Sequence, residues 1–230
     1  MKIVVIGGSG VLGAKVVQKL TEHGHDAVPA SPRTGVNTLT GEGLTDVLTG
    51  ADVVVDVSNS PSFDDDAVME FFTKSTNNLV AAAKSAGVGH YVVVSIVGCD
   101  ELRESGYMRA KVAQEKLIEA AGIPYSIIRA TQFAEFTEAI TVSLTVGDEV
   151  HVPDALIQPI ATQDLADEVV RVTENRPLAG IENIGGPQKI SFEQMARDVL
   201  ARHGDTKTVV VDPHAAYFGT PLSTNSLVTP

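Results

Sequence analysis

The chain opens MKIVVIGGSGVLG, and no other stretch limits the possible folds as tightly. Ile3 to Ile6 is a β-branched run, the composition of a strand buried on both faces. A glycine cluster follows at once, and Val11 to Leu20 then places apolar residues at helical spacing. Strand, glycine-rich turn and helix in immediate succession form the opening of a dinucleotide-binding unit. In this reading Gly7 permits the tight turn, Gly10 lets the backbone approach a pyrophosphate, and Gly13 lets the helix pack close to the strand. Ser9, Val11 and Leu12 complete the phosphate-facing loop, where the helix amino terminus offers free N–H groups and its positive dipole end.

Bulk composition narrows the partners. Lys and Arg number 17 against 29 Asp and Glu, so the formal charge is −12. A nucleic-acid binder needs a basic face, and none is visible; an anionic membrane surface is disfavoured for the same reason. No apolar run approaches the length of a membrane span. With the opening stretch read as a core strand, a cleaved leader is not expected there. Cys99 is the single cysteine and has no internal disulfide partner, so a reducing cytoplasm is the expected address.

Strand and helix patterns alternate through the first 130 residues, which predicts an α/β fold with a doubly wound parallel sheet. The second strand is expected over Asp26 to Ala30. Its end decides the cofactor: a carboxylate there holds a ribose 2′-hydroxyl, whereas Arg or small polar groups suit a 2′-phosphate. Ser31 and Arg33 stand there with no acid, so NADP(H) is preferred over NAD(H), the alternative for Arg33 being a solvated loop cation. A third strand, Asp52 to Val57, ends in Ser58 and Asn59, polar groups at a strand's carboxyl end or, equally, a helix-capping turn. Asp64, Asp65 and Asp66 suit the dipole of a first helical turn better than a metal.

A fourth strand, His90 to Ser95, precedes a helix that opens with Tyr107 and runs to about Ala121. Tyr107 and Lys111 are four apart and share a helix face. A nearby ammonium favours phenolate and lowers the tyrosine pKa, giving a usable proton donor or acceptor, and the Ser95 hydroxyl can hold a substrate carbonyl. Cys99 lacks a histidine partner and reads as a packed, idle thiol. His23 and His25, at an expected helix end, suit the helix dipole better than metal ligation; no metal site is expected.

The glycine spacing Gly7-x-x-Gly10-x-x-Gly13, with Ser95, Tyr107 and Lys111 in that order, resembles the short-chain dehydrogenase/reductase superfamily. The segment IPYSIIRATQF, from Ile123 to Phe133, resembles its atypical, NmrA-like branch. That resemblance implies Tyr107 as general acid/base, Lys111 as its tuner and the holder of the nicotinamide ribose, and Ser95 as the carbonyl's orienter. It also implies that Ser58 and Asn59 run beside the adenosine part, and that the loop carrying Ala130, Thr131 and Phe133 lies against the nicotinamide. Standard members often have a Pro-Gly turn at that point, and this chain does not. The implied activity is NADP(H)-dependent reduction of a small carbonyl, quinone or enone. The alternatives are a dinucleotide sensor without turnover and an isomerase or epimerase that uses the cofactor transiently.

After Phe136 the alternation becomes irregular. The expectation is one NAD(P)-binding domain over 1–230 with a small substrate lobe built mainly from 134–230. A helix is expected over Phe133 to Ser143, short strands near Glu149–Val152 and Ile157–Ile160, and a helix capped by Thr162 and running through Val172. A strand over Ile181 to Ile184 is expected in the lobe, then a helix opened by a Ser191/Gln194 capping box and a strand over Val209 to Val211. The tail from Pro213, with Tyr217 and Phe218, is open to three placements: over the pocket, in a homodimer contact, or loosely attached.

Overall fold

The computed structural model describes all 230 residues. In chain order, β1 (Lys2–Ile6), α1 (Val11–Glu22) and β2 (Asp26–Ala30) come first. A 3-10 turn (Pro32–Thr34) and α2 (Leu44–Leu48) lead to β3 (Val53–Asp56). Next are α3 (Asp65–Ala86), β4 (His90–Ile96), α4 (Gly106–Glu119), β5 (Tyr125–Ala130), α5 (Thr137–Ser143), β6 (Thr145–Val146), β7 (Glu149–Val152) and β8 (Leu156–Ile157). The chain closes with α6 (Thr162–Glu174), β9 (Gly180–Ile184), β10 (Ile190–Ser191), α7 (Phe192–His203), β11 (Thr208–Val211), β12 (Ala216–Tyr217) and β13 (Thr220–Pro221).

Six strands form one parallel sheet in the order β2-β1-β3-β4-β5-β9. Successive residues of a strand face opposite sides. Ile3 and Val5 therefore join Val16, Leu20, Leu165 and Val169 under α1 and α6. Val4 and Ile6 join Leu48, Leu79 and Ile118 under α2, α3 and α4. Covering helices on both faces explain why β1 is apolar without alternation. From β1 the chain goes to one side for β2 and returns across β1 for β3. Strand order reverses there, which opens a crevice above the carboxyl ends of β1 and β3. The architecture is Rossmann-like.

The predicted three acids sit at the start of α3: Asp64 is its N-cap and Asp65 and Asp66 lie in the first turn. Beside the sheet a separate apolar cluster, including Ile140, Val150, Val152, Phe192 and Met195, binds α5, α7 and the small β11-β7-β6 sheet.

Several expectations beyond Phe133 are corrected. The strand Ile181–Ile184 is not in the lobe: it lies in β9, which pairs parallel with β5 and completes the main sheet. A 3-10 turn occupies Ala134–Phe136, so the helix begins only at Thr137. The strand expected to reach Ile160 stops at Ile157, since Pro159 has no N–H to continue a ladder. Thr162 does not cap α6. Ala161 is the N-cap, and the Glu135 carboxylate accepts from Thr162 N at 3.1 and 3.2 Å, which caps the helix from outside. Ser191 Oγ accepts from Gln194 N at 3.0 Å, but the Gln194 side chain turns to Asp198, leaving half a capping box. The tail forms the β12–β13 hairpin, and Tyr217 and Phe218 on it line the crevice.

Candidate functional site

A cleft of about 1100 Å³ follows the crevice from β2 to the lobe. At its centre is the glycine turn. Gly7 has φ +78°, and a Cβ on it would stand 2.9 Å from the Val57 carbonyl oxygen. Gly13 is held tighter: a Cβ there would fall 2.1 Å from the Gly7 carbonyl oxygen, so α1 packs directly on the turn. Gly10 differs, because its φ is −83° and the one close neighbour of a Cβ would be the Gly7 oxygen at 3.2 Å. Glycine at 10 thus leaves open space in front of the α1 amino terminus, which has no side-chain cap and no acid in its first turn. Ser9, Val11 and Leu12 line this part of the cleft.

Toward the β2 end, Ser31 is buried and its Oγ has no hydrogen-bond partner, although it lines the cleft. Such a hydroxyl is free to donate to a group that enters the cleft. Arg33 is exposed in the 3-10 turn and stands outside the lining. Past β3, Ser58 N and Oγ both donate to Asp56 Oδ1, at 3.0 and 2.6 Å, so this hydroxyl is engaged within its own turn. Asn59 reaches the opposite wall instead. Its Oδ1 accepts from Tyr107 Oη at 2.8 Å.

Ser95, Tyr107 and Lys111 all line the lobe end of the cleft. Ser95 is buried, with Cys99 Sγ 3.9 Å from its Oγ. Lys111 is buried too: its Nζ donates to the Val94 carbonyl at 2.9 Å and to Gln114 Oε1, and lies 4.4 Å from the centre of the Phe72 ring. Gln114 Nε2 passes the connection to Asp56 Oδ2 at 3.1 Å, and Tyr91 Oη donates to the same oxygen at 3.3 Å. Burial lowers the ammonium pKa to about 8, opposed by the carboxylates of Asp56 and Glu115.

The expected effect of Lys111 on Tyr107 is not what the structure has. Burial disfavours phenolate and pushes Tyr107 up to about 12, outweighing the Asn59 contact. The ammonium is turned toward Val94 and Gln114. At neutral pH the phenol is therefore a proton donor. Cys99 is buried, donates to Glu115 Oε1 at 3.4 Å, and is pushed up to about 12 by burial and by that carboxylate; a thiol so held is not a nucleophile. Arg129 grips Glu115 through Nε at 2.9 Å and Nη2 at 2.7 Å, tying β5 to α4.

At the end of β5, Ala130, Thr131 and Phe133 line the cleft, and Phe133 stacks on Phe136 at 5.5 Å. The Thr131 hydroxyl is used internally, donating to the Gln158 carbonyl. Within the same loop, Gln132, which the sequence does not single out, is buried, lines the cleft, and has an unpartnered Oε1. Nor does it single out Asp56, although a carboxylate inside the run DVVVDV is a visible signal. His23 and His25 share Glu174 Oε1, at 2.8 and 2.9 Å, which links the end of α1 to α6.

The open space at Gly10, the free α1 amino terminus and the orphaned Ser31 and Gln132 oxygens fit an extended dinucleotide. Comparison with known proteins agrees. A family model described as NAD(P)H-binding matches residues 7–176. The chain is 26% identical over 147 residues to photosystem II assembly factor Ycf39 of Cyanophora paradoxa, covering 58% of this chain and 46% of that protein. It is 32% identical over 163 residues to isoflavone reductase homolog IRL of Zea mays, covering 59% of this chain and 50% of that one. The chain thus spans about half the length of the curated relatives it matches. Among solved structures, a dTDP-4-dehydrorhamnose reductase of Clostridium acetobutylicum has the same fold, with a TM-score of 0.75 at 20% identity, covering 92% of this chain and 84% of that one.

Proposed function

Because the chain belongs to the NAD(P)H-binding family, we propose that it is an oxidoreductase that uses NADPH to reduce an uncharged carbonyl, quinone or enone compound. The observation that carries this reading is the meeting of a protonated, half-buried phenol with the lobe end of a dinucleotide-shaped cleft. Tyr107, Ser95 and Lys111 all face that space.

A nicotinamide cofactor held in this cleft would supply the hydride. Tyr107 holds a proton at Oη through the neutral range and delivers it to the substrate oxygen, while Asn59 aims the phenol from the opposite wall. Ser95 donates to the same oxygen and orients it. Lys111, fixed by Val94 and Gln114, would hold the cofactor ribose and lend its positive charge to that end of the cleft. Gln132 Oε1, buried and without a partner, would accept an N–H from the nicotinamide carboxamide.

Ser31 and Arg33 would hold the 2′-phosphate, with the buried hydroxyl as the fixed donor and the exposed guanidinium as a mobile one. A nucleotide-sugar substrate is disfavoured, because Lys111 is the one Lys or Arg lining the cleft and its ammonium is already engaged.

A second reading, a nucleotide-dependent assembly or sensor protein, is favoured by two facts. Tyr107 is bonded to Asn59 with a raised pKa, and Ycf39 is an assembly factor. The test is titration with NADPH and NADH, followed by a panel of carbonyls and quinones with loss of nicotinamide absorbance as readout. Substrate-dependent oxidation of NADPH supports the reductase. Tight cofactor binding with no oxidation across the panel overturns it in favour of the second reading.

A further inference from the structure

The loop of the β12–β13 hairpin is Phe218-Gly219, and both residues have positive φ, +48° and +74°. A two-residue hairpin loop of this shape is built for Asn-Gly or Gly-Gly. A phenylalanine in the left-handed region is disfavoured, since its Cβ crowds the neighbouring carbonyl. Its ring is also 45% exposed, so burial does not explain it either. Strained positions of this kind cluster where a site needs them.

The neighbours of Phe218 give the explanation. Its ring lies 5.8 Å from that of Tyr107, nearly parallel at 18°, and 5.6 Å from that of Phe63. Phe63, on the loop before α3, is itself 53% exposed and 5.4 Å from Tyr107. Two exposed rings from separate parts of the chain thus meet over the phenol, and all three line the cleft. No Asp, Glu or Arg lines it, and the Lys111 ammonium is occupied.

We propose that Phe63 and Phe218 form an aromatic clamp over Tyr107 whose exposed outer faces select a flat, uncharged, conjugated ring and hold it beside the phenol. The ring face supplies offset stacking, which an aliphatic carbonyl cannot match, and a phosphate or carboxylate finds no free cation. The choice of a carbonyl-bearing ring rests on the reductase reading; the clamp itself does not.

Binding of 1,4-naphthoquinone, 2,3-butanedione and UDP-glucose to the NADP-loaded protein is measured by calorimetry, with turnover followed in parallel. The wild type binds naphthoquinone at least about tenfold tighter than the other two, the scale of one or two stacking contacts. Phe218→Asn suits the turn better than phenylalanine, so it keeps or raises the Tm while weakening naphthoquinone about tenfold. Phe63→Leu keeps apolar bulk without the flat face and weakens it similarly. Both variants leave NADPH and butanedione affinities unchanged. Unchanged naphthoquinone affinity in both variants, equal weakening of every ligand, or tighter UDP-glucose binding in the wild type overturns the clamp. Ring preference without turnover supports the clamp and overturns the reductase.

Discussion

Replacing Tyr107 with phenylalanine removes one oxygen and keeps the ring that Phe63 and Phe218 contact. The lost interaction is the proton at Oη and its bond to Asn59. Turnover should fall by about two to four orders of magnitude, the usual scale for general acid catalysis, with NADPH affinity nearly unchanged. Steady-state rates and dissociation constants check this, and undiminished turnover would remove the tyrosine from the chemistry. Arg33 is the exposed counterpart. Arg33→Ala should weaken NADPH roughly tenfold and leave NADH untouched, the low end for a charge-assisted contact because solvent competes for the guanidinium. Added salt should narrow the difference. A pair of dissociation constants at one ionic strength decides it: equal weakening of both cofactors sinks the 2′-phosphate assignment.

At the scale of the element, the turn between β1 and α1 separates two jobs of glycine. Gly13 lets the helix rest on the Gly7 carbonyl, where a Cβ would overlap at 2.1 Å. Gly13→Ala must push α1 off the turn, so it should destabilise the fold by about 1–3 kcal/mol, as overpacking does, and lose cofactor as well. Gly10 has an ordinary φ and mostly open surroundings. Gly10→Val should fold with a Tm near wild type and yet fail to bind NADPH, because its side chain stands where pyrophosphate must approach. Thermal melts and cofactor titrations of the two variants are the comparison. A folded Gly10→Val protein with wild-type affinity contradicts the phosphate-loop assignment.

For the whole molecule, acid sensitivity should trace largely to the sheet interior. His90, buried at the start of β4, shares a hydrogen bond with Ser126 Oγ on β5 at 2.8 Å, and that oxygen also accepts from Leu178 N at 2.9 Å. Burial lowers its pKa from 6.5 to about 4. Between those values the unfolded chain binds a proton that the folded one does not, so stability falls as pH drops from about 6.5 to about 4. The loss reaches on the order of 3 kcal/mol at most. Glu135 and Glu174, whose pKa values are lowered by hydrogen bonds and charges, add their losses only below the ordinary glutamate range, beneath most of this window. Urea midpoints across pH should show the decline in the wild type and a flatter profile in His90→Gln. An equally steep decline in the variant would place the sensitivity elsewhere.

The sequence by itself determined the parts governed by near neighbours. The apolar run of β1, the three glycines, the acid-free end of β2 and the Tyr107/Lys111 spacing each act over a few residues, where sterics and helical or strand periodicity decide the outcome. What only the tertiary structure decided are the pairings across the sheet. Asn59 meets Tyr107 across 48 residues and Gln114 meets Asp56 across 58, because the carboxyl end of β3 comes within reach of α4, which packs over the neighbouring β4, only after the parallel strands are ordered. The same ordering engaged the Lys111 ammonium with Val94 and Gln114, and let Glu135 cap α6 from outside. Phe63 and Phe218 gave no periodic signal, since each is a loop residue whose contact depends on where another segment ends. Apolar pattern tells a residue that it must be covered, and it is silent about which partner does the covering.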